Sequence, residues 1–184
     1  INLFTLGDHV FRKREIISTL ETCEDIARPD NLSQYAAGKG YAIYKTPKGP
    51  TVAVVSLIGR IFMKPSDCPY HSIDRLIPKL NRLADIILVD MHAEATSEKV
   101  AMGYYLDGKV SCAFGTHTHI TTADEKILPN GTAYITDVGM TGPYDPVLGR
   151  KKENVIKSFR TQLPFPYEIA VNDNRISAIL VTVD

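Results

Sequence analysis

Two histidines one residue apart, His117 and His119, close the run Gly115-Thr116-His117-Thr118-His119. Neutral imidazole is the commonest metal ligand, and alternate residues of an extended backbone point the same way, so both rings can address one ion. Two surface histidines in a loop would leave the same pattern, and the spacing alone does not separate the two readings. Other candidates lie in Gly7-Asp8-His9 and at His92, which follows Asp90-Met91. Asp8 suits either metal ligation or the capping of a following helix. Asp90, two residues before His92, can share its side of a strand and orient its ring.

These residues need elements to position them. Residues 1–6, 85–91 and 110–114 are short apolar runs of strand character. Each delivers one of the candidate segments at its carboxyl end, where open α/β sheets bind ligands. Four of the five histidines, His9, His92, His117 and His119, thus follow strand ends. That placement favours a metal site over scattered surface histidines. Nitrogen and carboxylate donors without cysteine suit Zn, Mn or Fe and argue against a cysteine-rich structural zinc.

The intervening pattern completes an α/β chain. Residues 13–26 place Ile16, Ile17, Leu20 and Cys23 on one helical face. Residues 41–45 and 51–58 read as a hairpin about 46–50, and the second strand is apolar enough to be central. Arg60, in the long connection 59–69, either binds a phosphate or pairs with Asp67. Residues 72–83 suit a helix capped by Ser72 and kinked or restarted by Pro78, with His71 a surface residue before it. Thr96 can cap a helix reaching Leu106. A hairpin follows over 125–128 and 132–136, then a Gly/Pro-rich loop, 137–149, that can wall the site. A helix over 151–160 and a last hairpin, 167–171 with 175–183, end the chain. Gly38-Lys39-Gly40 lacks the context of a phosphate loop and takes no nucleotide role.

A length of 184 residues suits one domain, and 44% hydrophobic with 23% charged residues is an ordinary globular composition. Lys+Arg and Asp+Glu both number 21, which excludes a global basic field for a nucleic-acid duplex or an anionic membrane. No apolar stretch approaches the ~20 residues of a membrane span. Cys23, Cys68 and Cys112, an odd count without Cys-x-x-Cys spacing, read as reduced thiols of a cytoplasmic protein. The chain has no initiator Met and opens inside a strand, so sequence preceding Ile1 is expected.

Strand–Gly-Asn-His, strand–His and strand–Gly-His-x-His, in that order, mark the calcineurin-like metallophosphoesterases. The chain resembles them through Gly7-Asp8-His9, His92 and Gly115-Thr116-His117-Thr118-His119, the last with one extra Thr. It is more closely similar to a bacterial branch of 2′,3′-cyclic-nucleotide phosphodiesterases. That likeness is carried by Leu57-Ile58-Gly59-Arg60-Ile61-Phe62-Met63, by Asp90-Met91-His92-Ala93-Glu94-Ala95-Thr96-Ser97-Glu98-Lys99, by residues 115–124 and by residues 135–145, and it runs almost end to end.

The resemblance implies a single α/β domain over 1–184, a four-layer αββα sandwich that is incomplete at its N-terminal side. It implies two divalent or trivalent transition-metal ions at the strand ends, Fe or Mn first and Zn next. Asp8, His92 and His117 would bind one ion and His119 the other, with His9 as the general acid or phosphate-stabilising histidine. The implied activity is hydrolysis of cyclic nucleotides or related phosphodiesters through a metal-activated hydroxide. The partner is then a small-molecule phosphodiester, with no nucleic-acid duplex, no membrane, and room for a homo-oligomer.

Two departures stand out. The family has Asn at the position of Asp8, and a carboxylate there still ligates but lowers the positive charge of the site. The family also carries, ahead of this region, a strand with Asp and a second strand followed by Glu-Asn, which supply the bridging carboxylate and most ligands of the other ion. Neither is in this chain. Two rival readings of the residues are a mononuclear metal hydrolase and a non-catalytic binding module on the same scaffold.

Overall fold

Residues 1–47 and 49–184 are described by the computed structural model. Phe4–Thr5 (β1) pairs in parallel with Ile26–Ala27 (β2), the two joined through the helix Ile16–Thr22 (α1). Tyr41–Lys45 (β3) and Thr51–Ile58 (β4) form the expected antiparallel hairpin, though Lys48 of its turn lies outside the described residues. Helix Pro69–Leu80 (α2), strand Ile86–His92 (β5), helix Thr96–Leu106 (α3) and strand Cys112–Thr116 (β6) continue as two strand–helix–strand units. Lys126–Ile127 (β7) and Ala133–Ile135 (β8) pair as the second expected hairpin. The short strand Gly142–Pro143 (β9), helix Lys152–Thr161 (α4) and short strand Asn174–Arg175 (β10) complete the order.

One six-stranded sheet, ordered β3-β4-β5-β6-β8-β7, organises the molecule. Its four inner strands are parallel and its two edge strands run antiparallel to their neighbours. An inner strand covered on both faces needs apolar residues at both parities, and residues Ala53 through Ile58 of β4 are all buried. Ala53, Val55, Leu57, Ile87, Val89 and Met91 pack with Ile73, Leu76 and Leu80 of α2 and Met102 and Leu106 of α3. The other parity packs differently: Val54 and Leu88 meet Ala42, Ala27 of β2 and Leu3 beside β1. Asp90 and His92 share the parity of Leu88, and the register sets Thr116 of β6 directly beside His92. Three polar residues thus stand on the sheet face that β1 covers.

Buried polar side chains tie the connections down. Asn31 donates from Nδ2 to the Ile58 carbonyl (2.8 Å) and the Asp67 carbonyl (2.9 Å), and its Oδ1 accepts the Ile58 N–H (2.8 Å). The end of β4 is therefore held against both flanking loops, with every buried donor paired.

Several local expectations are corrected. The first helix occupies only Ile16–Thr22, because Ile26 and Ala27 are drawn into pairing with β1 instead of extending it. The second helix starts at Pro69, where the missing N–H costs nothing, so Ser72 is free to donate to Asp30 Oδ2 (2.6 Å) and caps nothing. Pro78 lies inside its last turn, and the helix neither breaks nor restarts there. Ala95, not Thr96, occupies the N-cap position of α3. Arg60 does not pair with Asp67 among the described residues; the Glu98 carboxylate accepts the N–H of Arg60 (2.9 Å) and of Ile61 (3.1 Å). The C-terminal hairpin does not form: β10 pairs with β9, and Ile169 bridges to Arg150. The α/β class is as expected. The second sheet of a four-layer sandwich is present among the described residues only as short two-stranded pairings.

Candidate metal centre

Three strand ends supply the centre. His92 is the last residue of β5, His117 follows β6, and Asp8 follows the segment that contains β1. Gly7 is required beside them, since a Cβ there would fall 2.2 Å from Cε1 of His92. The backbone turn carrying Asp8 lies against the imidazole at a distance only glycine permits. Asp8 Oδ1 is 3.0 Å from His92 Nε2 and 3.7 Å from His117 Nδ1, and those two nitrogens are 3.0 Å apart. The rings meet edge to face at 4.8 Å between centroids.

Proton bookkeeping shows what this triangle holds. Thr5 Oγ1 and Thr116 Oγ1 each donate to one oxygen of Asp90 at 2.7 Å. With its proton committed to Asp90, Thr116 Oγ1 can only accept, so the proton of His92 sits on Nδ1, 2.9 Å away. His92 Nε2 is left bare. On His117, Nε2 lies 3.1 Å from Glu94 Oε2 and Nδ1 lies 3.0 Å from His92 Nε2, so without an ion Nδ1 is within reach to donate to His92. The three converging atoms are two imidazole nitrogens and a carboxylate oxygen. Ligands held by ~2.1 Å bonds at tetrahedral angles stand ~3.4 Å apart, close to the edges observed. The donor set fits one transition-metal ion, the only such group among the described residues. Asp8 coordinating together with the two histidines suits Zn, Mn or Fe.

The surroundings set the charges. Burial raises the Asp8 carboxyl, but the close contact with His92 and the nearby His9 and His117 outweigh burial and hold it below its ordinary value. Burial and the neighbouring His117 keep His92 below the usual imidazole range, against the pull of Asp8, so it stays neutral and able to ligate. Asp90 is pushed up to about 6 by complete burial, partly offset by its two threonine hydrogen bonds. It orients His92 as the sequence suggested, but through Thr116 and not by direct contact. Thr5 and Thr116 were invisible as site residues. The one signal was the extra threonine of the Gly-x-His run.

The remaining candidates stand apart. His9 is exposed, with Nδ1 3.6 Å from Asp8 Oδ2. His119 is exposed and lies outside the three-atom group. A cleft of about 1200 Å³ lies elsewhere, lined by Arg28, Lys39, Arg75 and Lys79 among others. These cations are engaged: Arg75 with Asp30, Lys39 with Glu24, Lys79 over the Tyr41 ring, and Arg28 with four carbonyls.

The sequence profile of the YmdB-like proteins matches residues 1–184. The chain is 44% identical over 180 residues to a 2′,3′-cyclic-nucleotide 2′-phosphodiesterase of Bacillus subtilis, covering 98% of this chain and 68% of that protein. Its structure superposes on that of a hypothetical protein from Thermus thermophilus with a TM-score of 0.87 at 42% identity, over 94% of this chain and 67% of the other. A structure described as a novel phosphatase from Mycoplasma pneumoniae matches with a TM-score of 0.82 at 35% identity, over 92% and 62% of the two chains. The chain spans about two thirds of the length of these relatives. The metallophosphoesterase-type architecture and the likeness to the cyclic-nucleotide phosphodiesterase branch, both expected from the motifs, thus hold over nearly the whole sequence, and the chain belongs to the YmdB-like protein family.

Proposed function

We propose that the chain is a metal-dependent phosphodiesterase for small phosphodiesters, with 2′,3′-cyclic nucleotides the first substrates to test. One observation carries the reading: Asp8 Oδ1, His92 Nε2 and His117 Nδ1, three atoms of metal-ligating type, converge within 3.0–3.7 Å. The activity named for the Bacillus subtilis relative supports the substrate class.

Asp8, His92 and His117 would hold one ion, and His119 would serve a second. Bound there, such ions supply Lewis-acid charge for the phosphoryl oxygens and lower the pKa of a coordinated water. The chain's residues do the rest. Asp90 and Thr116 keep the His92 proton on Nδ1. His9, exposed beside Asp8, would protonate the leaving alkoxide. A mononuclear hydrolase is a second reading, favoured by the position of His119 outside the three-atom group.

The test begins with protein stripped by chelator and titrated with Mn²⁺. An ion at 100 times its Kd adds about 2.7 kcal/mol and should raise Tm by roughly 5–10 °C. Hydrolysis of 2′,3′-cyclic AMP should appear with it, and His92→Ala should abolish both. His9→Ala should keep the ion and lower turnover by about 10²–10⁴. Loss of the ion in that variant would make His9 a ligand. Two equivalents of ion support the binuclear reading and one the mononuclear; failure of Mn²⁺, Fe²⁺ and Zn²⁺ alike to bind overturns the proposal.

A further inference from the structure

Lys99 and Asp137 are the two ends of a buried ion pair that the metal triangle does not use. Lys99 is 2% exposed and Asp137 1%, and Nζ lies 2.6 Å from Oδ2. A pair taken so far out of water adds little to stability over an apolar replacement, so its place calls for another reason. The other partners of Asp137 supply one. Its Oδ2 also accepts the backbone N–H of Thr118 (3.2 Å) and the Thr118 hydroxyl (2.7 Å), while Oδ1 accepts the N–H of Gly139 (2.8 Å). Thr118 stands between His117 and His119, and both histidines have left-handed backbones, φ 101° and 68°. Non-glycine residues hold such angles only where surrounding contacts over-determine them. The carboxylate grips the one residue between two strained ones.

Lys99 reaches this point from α3 along a path that glycine keeps open. A Cβ on Gly115 would meet Lys99 Cδ at 2.7 Å. The ammonium thus comes up beneath β6 and fixes the carboxylate from below, while Thr118 is held from above.

We propose that Asp137, anchored by Lys99, is a positioning residue that sets the His117-Thr118-His119 turn and aims His117 Nδ1 at Asp8 and His92. Asp137 is buried, lies outside the three-atom group and acts through Thr118. The inference rests on the metal-site reading for its energetic consequence, but the geometry it describes exists without the ion.

The test uses the 184-residue protein with Co²⁺ as probe and the histidine side-chain ¹⁵N spectrum as a second readout. Thr118→Val removes the hydroxyl bond and keeps the shape, Thr118→Ser restores the bond, and Asp137→Asn removes the charge. Partners that orient a ligand from outside are commonly worth 10–100-fold in metal affinity. Thr118→Val should weaken Co²⁺ binding about tenfold and Asp137→Asn by up to a hundredfold, with Thr118→Ser within about twofold of the parent. The visible cobalt bands should shift in the weakened variants, which a loss of overall stability alone would not cause. Without metal, the His117 ring ¹⁵N shifts should move in Thr118→Val, as the Nδ1 contact with His92 loosens, and stay at the parent values in Thr118→Ser. Unchanged affinity and an unchanged His117 spectrum in Thr118→Val overturn the positioning role. If the parent binds no Co²⁺ the metal reading fails, and the His117 spectrum of Thr118→Val alone decides this inference. Should Asp137→Asn not fold, the two Thr118 variants carry the test.

Discussion

Cys112 lies on the sheet face that carries Phe114 and Thr116, and it is 1% exposed. Burial pushes its thiol up to about 11. Below pH 9 the folded and unfolded chains both keep the proton, so the thiol adds no pH dependence there. Between 9 and 11 the folded chain holds a proton that the unfolded chain has lost, so stability falls as pH rises through that window. Urea unfolding at pH 8 and pH 10.5 should show a loss in the parent that Cys112→Ala lacks, of the order of 1–3 kcal/mol. Equal pH dependence in both proteins would refute the assignment. At this scale the converging group is legible by residue type: Asp8, His92 and His117 each follow a strand end. The threonines around Asp90 are not, because a hydroxyl in a strand is ordinary until its partner is known.

The elements show where patterning sufficed. Strands β4, β5 and β6 lie close to the expected places, since each buries an apolar run; helix α3 also matches, though its buried side, Lys99, Met102, Gly103 and Leu106, is no apolar stripe. Short elements failed for the converse reason. Ile26–Ala27 continues a helical pattern in sequence, yet the parallel pairing with Phe4–Thr5 takes it, a long-range contact that no local window contains. Residues 167–171 and 175–183 alternate as a hairpin should, but alternation names a face and not a partner, and Ile169, Val171, Ile176 and Leu180 are exposed. Tight packing between elements gives a sharper test. A Cβ on Gly115 would fall 1.8 Å from the Thr136 carbonyl oxygen, which belongs to the adjoining segment after β8. Gly115→Ala must push β6 and β8 apart, and overpacking of this kind costs about 1–3 kcal/mol or more. The shift should also displace the turn that carries His117. Urea unfolding and Co²⁺ titration should both report the damage; a variant indistinguishable from the parent would show that the strands yield freely.

Across the whole molecule, two of the three candidate ligands are fastened to the large sheet, and the third is not. His92 and His117 continue β5 and β6, which sit among parallel neighbours over the main core. Asp8 belongs to a segment held by a two-residue pairing, by the Leu6 N–H to the Ala27 carbonyl (2.8 Å), by Ser56 Oγ to the Leu6 carbonyl (2.7 Å) and by Thr5 to Asp90. Its contacts with the sheet span 50, 84 and 85 residues of chain, so chain entropy opposes them more than it opposes the hairpin β3–β4.

That inequality has a meaning in time. The segment around Asp8 joins last as the protein assembles, and it peels away first, before the sheet yields. An ion would then leave by the departure of one carboxylate arm, at a tempo set by a handful of hydrogen bonds and not by unfolding. Amide hydrogen exchange should find Leu6 opening many times faster than Val89, and a strong chelator should strip the ion at the opening rate of Leu6. Exchange of Leu6 and Val89 in step would mean that the arm and the sheet open only together, and that the residence time of the ion is the lifetime of the whole fold.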